Sequence, residues 1–167
     1  MIKIFILEKN IYIRNFLIKD IKKDYIGWFS GDNEDLKYSR HYKKRYKRAV
    51  LIQSYKKFIN SKNIFVGIFD KLNNKLIGTI TIYINKKKKE GNLGVFIGNR
   101  EYKSRGYALL SCKMIINYLV KKNIVNSIVS GTKNENIKMI KLMKNLKMKK
   151  MPKKDTRHTN YVFKKSI

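Results

Sequence analysis

Residues 102–110, YKSRGYALL, set two cations, Lys103 and Arg105, on either side of Ser104 and then thin the chain at Gly106 and Ala108, with Tyr107 between. An apolar segment, SCKMIINYLVKKN, follows directly. N–H groups at a helix start lack intrahelical partners and carry about half a positive charge, so such a stretch suits an anion that approaches the backbone closely. Phosphate is the obvious ligand, and an ordinary loop entering a helix is the bland alternative. Other reactive side chains are scarce: eleven carboxylates, two histidines and one cysteine. Cys112, among Leu110, Met114 and Ile115, reads as a buried thiol within the helix. Glu34 and Asp35 fall in an irregular polar segment, Asp32 reads as a turn cap, and His41 and His158 are groups able to take a proton near neutral pH.

The elements that must position these residues follow from periodicity. Residues 2–7 and 11–16 read as short strands, 20–28 as a helix, and 31–46, GDNEDLKYSRHYKKRY, as a loop with no clear period. Residues 49–59 return to helical spacing. Residues 64–69 and 76–84 form a hairpin; in the second strand Ile80, Ile82 and Ile84 alternate with Thr79, Thr81 and Tyr83, the period of two that a sheet with different faces demands. KKKKE marks an exposed turn before a third strand, NLGVFIG at 92–98. After the cationic turn and its helix come a strand at 124–130, an amphipathic helix at 134–146 and a last strand at 161–164. Strands first and then alternating strands and helices predict an α+β chain with a mixed sheet.

Composition narrows the function classes. With 167 residues the chain fits one domain. The formal charge of +29 points first to nucleic acid or an anionic membrane. However, 33 of the 40 basic residues are Lys, beside 24 Ile, 17 Asn and only 2 Ala, a bias typical of an AT-rich coding sequence. The lysines are dispersed, apart from Lys86 to Lys89, rather than gathered into an Arg-rich element with interleaved aromatics. Nucleic acid is therefore not a required partner. One cysteine gives no internal disulfide, and no apolar run approaches a membrane span or a signal sequence. A cytoplasmic location is expected.

In order and spacing the chain resembles the GNAT superfamily of acyl-CoA N-acetyltransferases. The family's pyrophosphate loop reads Gln or Arg, two residues, Gly, one residue, then Gly or Ala. Lys103, Ser104, Arg105, Gly106, Tyr107 and Ala108 stand in those places. GTKNENIKMIKLMKNLKM, residues 131–148, is similar to the family's end-of-strand Asn and the helix after it. IYIRNFLIKDI and the following WFS are similar to the start of the branch that includes ribosomal-protein and sugar acetyltransferases. Three positions depart from the pattern. Lys103 lacks the guanidinium fork, Lys147 stands where Gly is usual, and Met143 occupies the place where many members carry a Tyr acting as general acid.

The resemblance implies a GNAT-like mixed, mostly antiparallel central sheet flanked by helices on both faces, with residues 1–167 forming one acyl-CoA N-acyltransferase domain. It implies acetyl-CoA as cosubstrate and no metal. Phe96, Ile97 and Gly98 would offer backbone groups to the pantetheine arm, free on Phe96 and Gly98 where the strand splays from the next one at Ile124. The amides from Arg105 to Ala108 would hold the pyrophosphate. Asn136 would bond the pantetheine or cap its own helix. Glu90, just before the VFIG strand, is the first candidate for the base, an exposed turn residue being the alternative, and a base relayed through water stays open. Trp28 and Tyr38 are candidates for the acceptor pocket, with core packing and surface exposure as their ordinary roles. The expected reaction is direct transfer of acetyl to a primary amine of a small molecule, an amino sugar or a nucleotide-linked amino sugar. A protein N-terminal acetyltransferase and a non-catalytic basic module for RNA or membrane surfaces are the other open readings, and a homodimer is compatible with each.

Overall fold

The computed structural model describes residues 2–29, 31, 33–152 and 156–164. Asp32, the turn cap of the sequence reading, lies outside them. The strands are β1 (Phe5–Leu7), β2 (Ile11–Asn15), β3 (Ile64–Asp70), β4 (Leu76–Asn85), β5 (Glu90–Ile97), β6 (Ser127–Lys133), β7 (Lys149–Lys150) and β8 (His158–Lys164). They form one sheet in the order β1-β2-β3-β4-β5-β6-β8-β7. Every neighbouring pair is antiparallel except β5 and β6, which run parallel. The helices are α1 (Lys23–Gly27), α2 (Arg48–Asn60), α3 (Tyr107–Lys121) and α4 (Ile137–Asn145). This is the expected α+β architecture. Among the described residues no helix is long and apolar enough to cross a membrane.

Alternation along the strands sorts the core into two layers. Ile64, Val66 and Ile68 of β3 and Ile80 and Ile82 of β4 pack with Cys112, Ile115 and Leu119 of α3 and Met143 of α4. Phe65, pointing the other way, joins Phe16, Tyr25, Trp28, Leu51 and Tyr55, from α1, α2 and the segments beside them. Helices therefore cover both faces. Ile68, Ile80, Ile82 and Ile115 are fully buried, and each contributes about 2 kcal/mol by leaving water.

Several boundaries differ from the sequence reading: β1 begins at Phe5 rather than 2 and α4 at Ile137 rather than 134, and three other differences have a visible cause. The helix expected at 20–28 is a 3-10 turn, Ile18–Asp20, followed by the five residues of α1. Asp20 is held instead by Arg14, through two bonds of 2.7 Å, and by the Leu17 N–H at 2.8 Å. The strand expected from 124 starts at Ser127, because residues 122–124 form the turn that closes α3. Asn123 takes φ +53°, and the Ile124 N–H donates to the Leu119 carbonyl at 2.9 Å. Val125 supplied the apolar signal by packing, fully buried, in the first core layer. The last strand begins at His158 rather than 161, and the two-residue β7 has no period to read.

Candidate functional site

The turn between β5 and α3 is fastened on both sides. Asn99 caps a 3-10 turn at Arg100–Tyr102, its Oδ1 accepting from the Glu101 N–H at 3.0 Å. Glu101 pairs with Lys75 at 2.9 Å, which holds its carboxyl below the usual carboxylate range. The Tyr102 hydroxyl accepts from Asn73 Nδ2 at 3.3 Å, and its ring lies 5.7 Å from that of Tyr107. Past these anchors Ser104 takes φ +59° and Gly106 φ +81°. Gly106 is the N-cap of α3 and has no side chain with which to cap it. The first helical bond is Leu110 N–H to the Gly106 carbonyl at 3.0 Å, so the amides of Tyr107, Ala108 and Leu109 lack intrahelical acceptors. A Cβ on Gly106 would meet nothing within 4 Å. Uncapped amides bordering open space suit a diphosphate.

Beside this cradle two parallel strands separate. β5 and β6 pair at Glu90↔Ser127, Gly91↔Ile128 and Asn92↔Val129, and there the ladder ends. One further tie crosses, the buried Ser130 hydroxyl donating to the Leu93 carbonyl at 2.9 Å. Beyond it the strands diverge toward Ile97 and Lys133. The register decides which backbone groups face the gap. The Gly98 N–H donates to Ile77 of β4 at 3.1 Å, so Phe96 and Gly98 turn their backbone groups toward β4, and Val95 and Ile97 turn theirs toward the gap. This corrects the expectation of free groups on Phe96 and Gly98. The gap also opens opposite Ser130 and Thr132, not Ile124.

Other expected site residues are scattered around the gap. Trp28 is 7% exposed and packs on Gly98, whose Cβ would fall 1.9 Å from the indole, and it meets Phe96 edge-on at 6.0 Å. It borders a cavity of about 410 Å³ with Asn99 and Arg100. Tyr38 borders a different cavity of about 660 Å³ with Lys37, Tyr42 and Lys133, and with Glu135, Arg157 and His158. Glu90 opens β5 at the closed end of the gap, about 23 Å along the strand from Ile97. The structure does not bring it to the cradle.

Lys103 is half-buried and forms an ion pair with Asp35, so its charge is shared before any anion arrives. Asn136 caps α4, Oδ1 accepting from the Met139 N–H at 3.2 Å and Nδ2 donating to Thr132 Oγ1 at 2.9 Å. Met143 is fully buried and, being a thioether, supplies no proton. Cys112 is also fully buried, and burial pushes its thiol up to about 12. His41 accepts or donates at 3.0 Å to the Tyr46 hydroxyl, and burial, with Arg40 and Lys44 adding to it, lowers its pKa.

Sequence reasoning missed the Asp35 to Lys103 pair and the second cavity. Both join residues far apart in the chain, and nothing marks Lys37 or Lys133 among so many lysines. No group of three or more His, Cys, Asp and Glu among the described residues is arranged to hold a metal ion.

Residues 10–149 match the model of a family described as acetyltransferase (GNAT) domain. Three solved structures show how similar the fold is. An acetyltransferase (GNAT family) from Bacillus anthracis is 19% identical with a TM-score of 0.78, over 96% of this chain and 98% of its own. A nucleotide-linked sugar GNAT is 17% identical with a TM-score of 0.77, over 98% and 91%. A ribosomal L7/L12 alpha-N-protein acetyltransferase, in complex with coenzyme A, is 10% identical with a TM-score of 0.82, over 95% and 96%. No curated protein matches the chain in sequence.

Proposed function

The chain belongs to the GNAT acetyltransferase family, and from that premise we propose that it transfers acetyl from acetyl-CoA to a primary amine of a small molecule, an amino sugar or nucleotide-linked amino sugar. The observation that carries the donor half is the adjacency of two features. One is the uncapped N-terminus of α3 at Gly106, and the other is a parallel strand pair that opens beside it. The amides of Tyr107 to Leu109 hold the pyrophosphate, with Arg105 adding charge and Lys103 exchanging Asp35 for it. The backbone edge at Val95 and Ile97 bonds the pantetheine amides as an added strand would.

In the reaction the amine nitrogen attacks the thioester carbonyl, a C–N bond forms, and the C–S bond breaks with the thiolate leaving. The proton lost from nitrogen needs an acceptor, and an N–H at the gap edge stabilises the developing oxyanion. Glu135 and His158 are the groups of the larger cavity able to take that proton. Glu90 stands at the closed end, where a relay through water would be needed. No covalent enzyme intermediate is required, which fits the burial of Cys112.

Acetyl-CoA at about 100 times its dissociation constant should stabilise the protein by ~2.7 kcal/mol, which for a chain of this size raises Tm by about 5–10 °C. Gly106→Val places a β-branched residue at φ +81° and fills the cradle, so the shift should shrink to under about a third of its size. Absence of any shift with acetyl-CoA or CoA at millimolar concentration sinks the reading. Binding to RNA that weakens steeply with salt, in a protein indifferent to acetyl-CoA, would favour a non-catalytic basic module instead.

A further inference from the structure

The larger cavity has its own chemistry. Lys133, the last residue of β6, stands opposite His158, the first of β8, with Arg157 immediately before it. Two bonds fix this corner: the Asn134 N–H donates to the Arg157 carbonyl at 3.0 Å, and Asn134 Nδ2 donates to the Thr156 carbonyl at 2.7 Å. Lys37 lines the same cavity, and its N–H closes the 3-10 turn on the Glu34 carbonyl at 3.0 Å. Tyr38 and Tyr42 line it as well. Lys37, Lys133 and Arg157 thus line one cavity with Glu135, at the end of β6 that borders the open gap, and a second carboxylate, Glu34, is engaged by the Tyr42 hydroxyl.

From this juxtaposition, and resting on the acetyl-transfer reading above, we infer that the cavity selects a phosphorylated amine as acceptor. Lys37, Lys133 and Arg157 hold the phosphate, and Tyr38 and Tyr42 pack against the sugar or base. The same charges act on the nucleophile. A cationic surrounding disfavours the ammonium form, so the acceptor nitrogen sheds its proton more readily and arrives with a free lone pair. Polycationic amines are repelled for the same reason. A volume of about 660 Å³ lies within the range of small-molecule pockets and admits a sugar with a nucleoside diphosphate attached.

The test measures thiol release from acetyl-CoA with four acceptors: glucosamine, glucosamine 1-phosphate, a nucleoside-diphosphate-linked amino sugar and spermidine. Either phosphorylated amine should exceed glucosamine in kcat/KM by about tenfold or more, as expected for charge-assisted phosphate contacts. Arg157→Gln and Lys133→Gln should raise the phosphorylated acceptor's KM about tenfold while leaving the KM for acetyl-CoA within about twofold. Tyr38→Ala should hurt the nucleotide-linked acceptor more than the simple phosphate if the base is what stacks there. Equal kcat/KM for glucosamine, or spermidine as best acceptor, overturns the inference.

Calorimetric titration of both phosphorylated amines into the protein keeps this failure distinct from failure of the donor reading. Binding that Arg157→Gln weakens about tenfold supports the cavity assignment whether or not acetyl-CoA binds. No binding at millimolar concentration, in a protein that acetyl-CoA still stabilises, overturns the assignment alone.

Discussion

His41 shows how position gives a common side chain a particular behaviour. It stands between Phe29, whose ring is 5.4 Å away and edge-on, and the Tyr46 hydroxyl, with Arg40 and Lys44 as neighbours in sequence. Burial first, and then those two cations, disfavour the imidazolium, so the folded pKa lies below the ordinary 6.5. On acidification the unfolded chain takes up this proton before the folded one. The stability contributed by neutral His41 is therefore complete above about pH 6.5 and is lost as pH falls through that value toward the lower folded one. Melting temperatures of the native protein and His41→Gln, compared from pH 8 to pH 5, should converge in the acid half of the range. A difference independent of pH would mean that the ring is solvated and titrates as a free imidazole does.

At the scale of elements, α4 ends in a Schellman arrangement. The Lys147 N–H donates to the Lys144 carbonyl at 2.8 Å and the Met148 N–H to the Met143 carbonyl at 3.1 Å, with both methionines buried. The residue at the turn must be left-handed, and Lys147 takes φ +57°. Glycine adopts that conformation without the Cβ penalty, so Lys147→Gly should stabilise the protein by about 1 kcal/mol and raise Tm by a few degrees. Thermal unfolding checks it, and an unchanged or lowered Tm would show that Lys147 gains more from its side chain than it loses in strain. That position stood out in the sequence as a departure from the Gly usual in the family.

Much else about the elements was equally legible. The Ile alternation of β4 gave its inward face, and the Gly-containing turn gave the entrance to α3. Legibility failed where a local pattern had two physical causes. Val125 is apolar because it packs in the core beside the end of α3, and a strand at that place would have looked the same. The backbone register of β5 lay wholly outside the pattern, since the choice between Phe96 and Ile97 as edge residues is made by pairing with β4. The larger cavity was illegible for a third reason: its cations come from residues 37, 133 and 157 and are diluted among forty basic residues.

Across the whole molecule, the high charge makes the few carboxylates informative, because each one facing a ligand site competes with the ligand. Asp35 is such a case. It stands two residues before Lys37 of the larger cavity, is fastened through its N–H to Asn33 Oδ1 at 3.2 Å, and reaches across 68 positions of sequence to pair with Lys103 beside the cradle. A pyrophosphate entering the cradle competes with Asp35 for the same ammonium, and it also meets the repulsion of the Asp35 carboxylate itself. Asp35→Asn removes both obstacles and should tighten acetyl-CoA binding by about three- to tenfold at low salt, an effect that shrinks in 0.5 M salt as screening grows. Lys103→Gln should weaken binding, and in that background Asp35→Asn should lose most of its effect, since the two substitutions act on one pair. Calorimetric titration of acetyl-CoA into the four proteins measures the coupling directly. If Asp35→Asn leaves the affinity unchanged in both backgrounds, the ion pair is a surface contact with no part in binding acetyl-CoA. If the coupling is present, filling the cradle frees Asp35, and the turn that carries Lys37 and Tyr38 loses its tie to Lys103 at that moment.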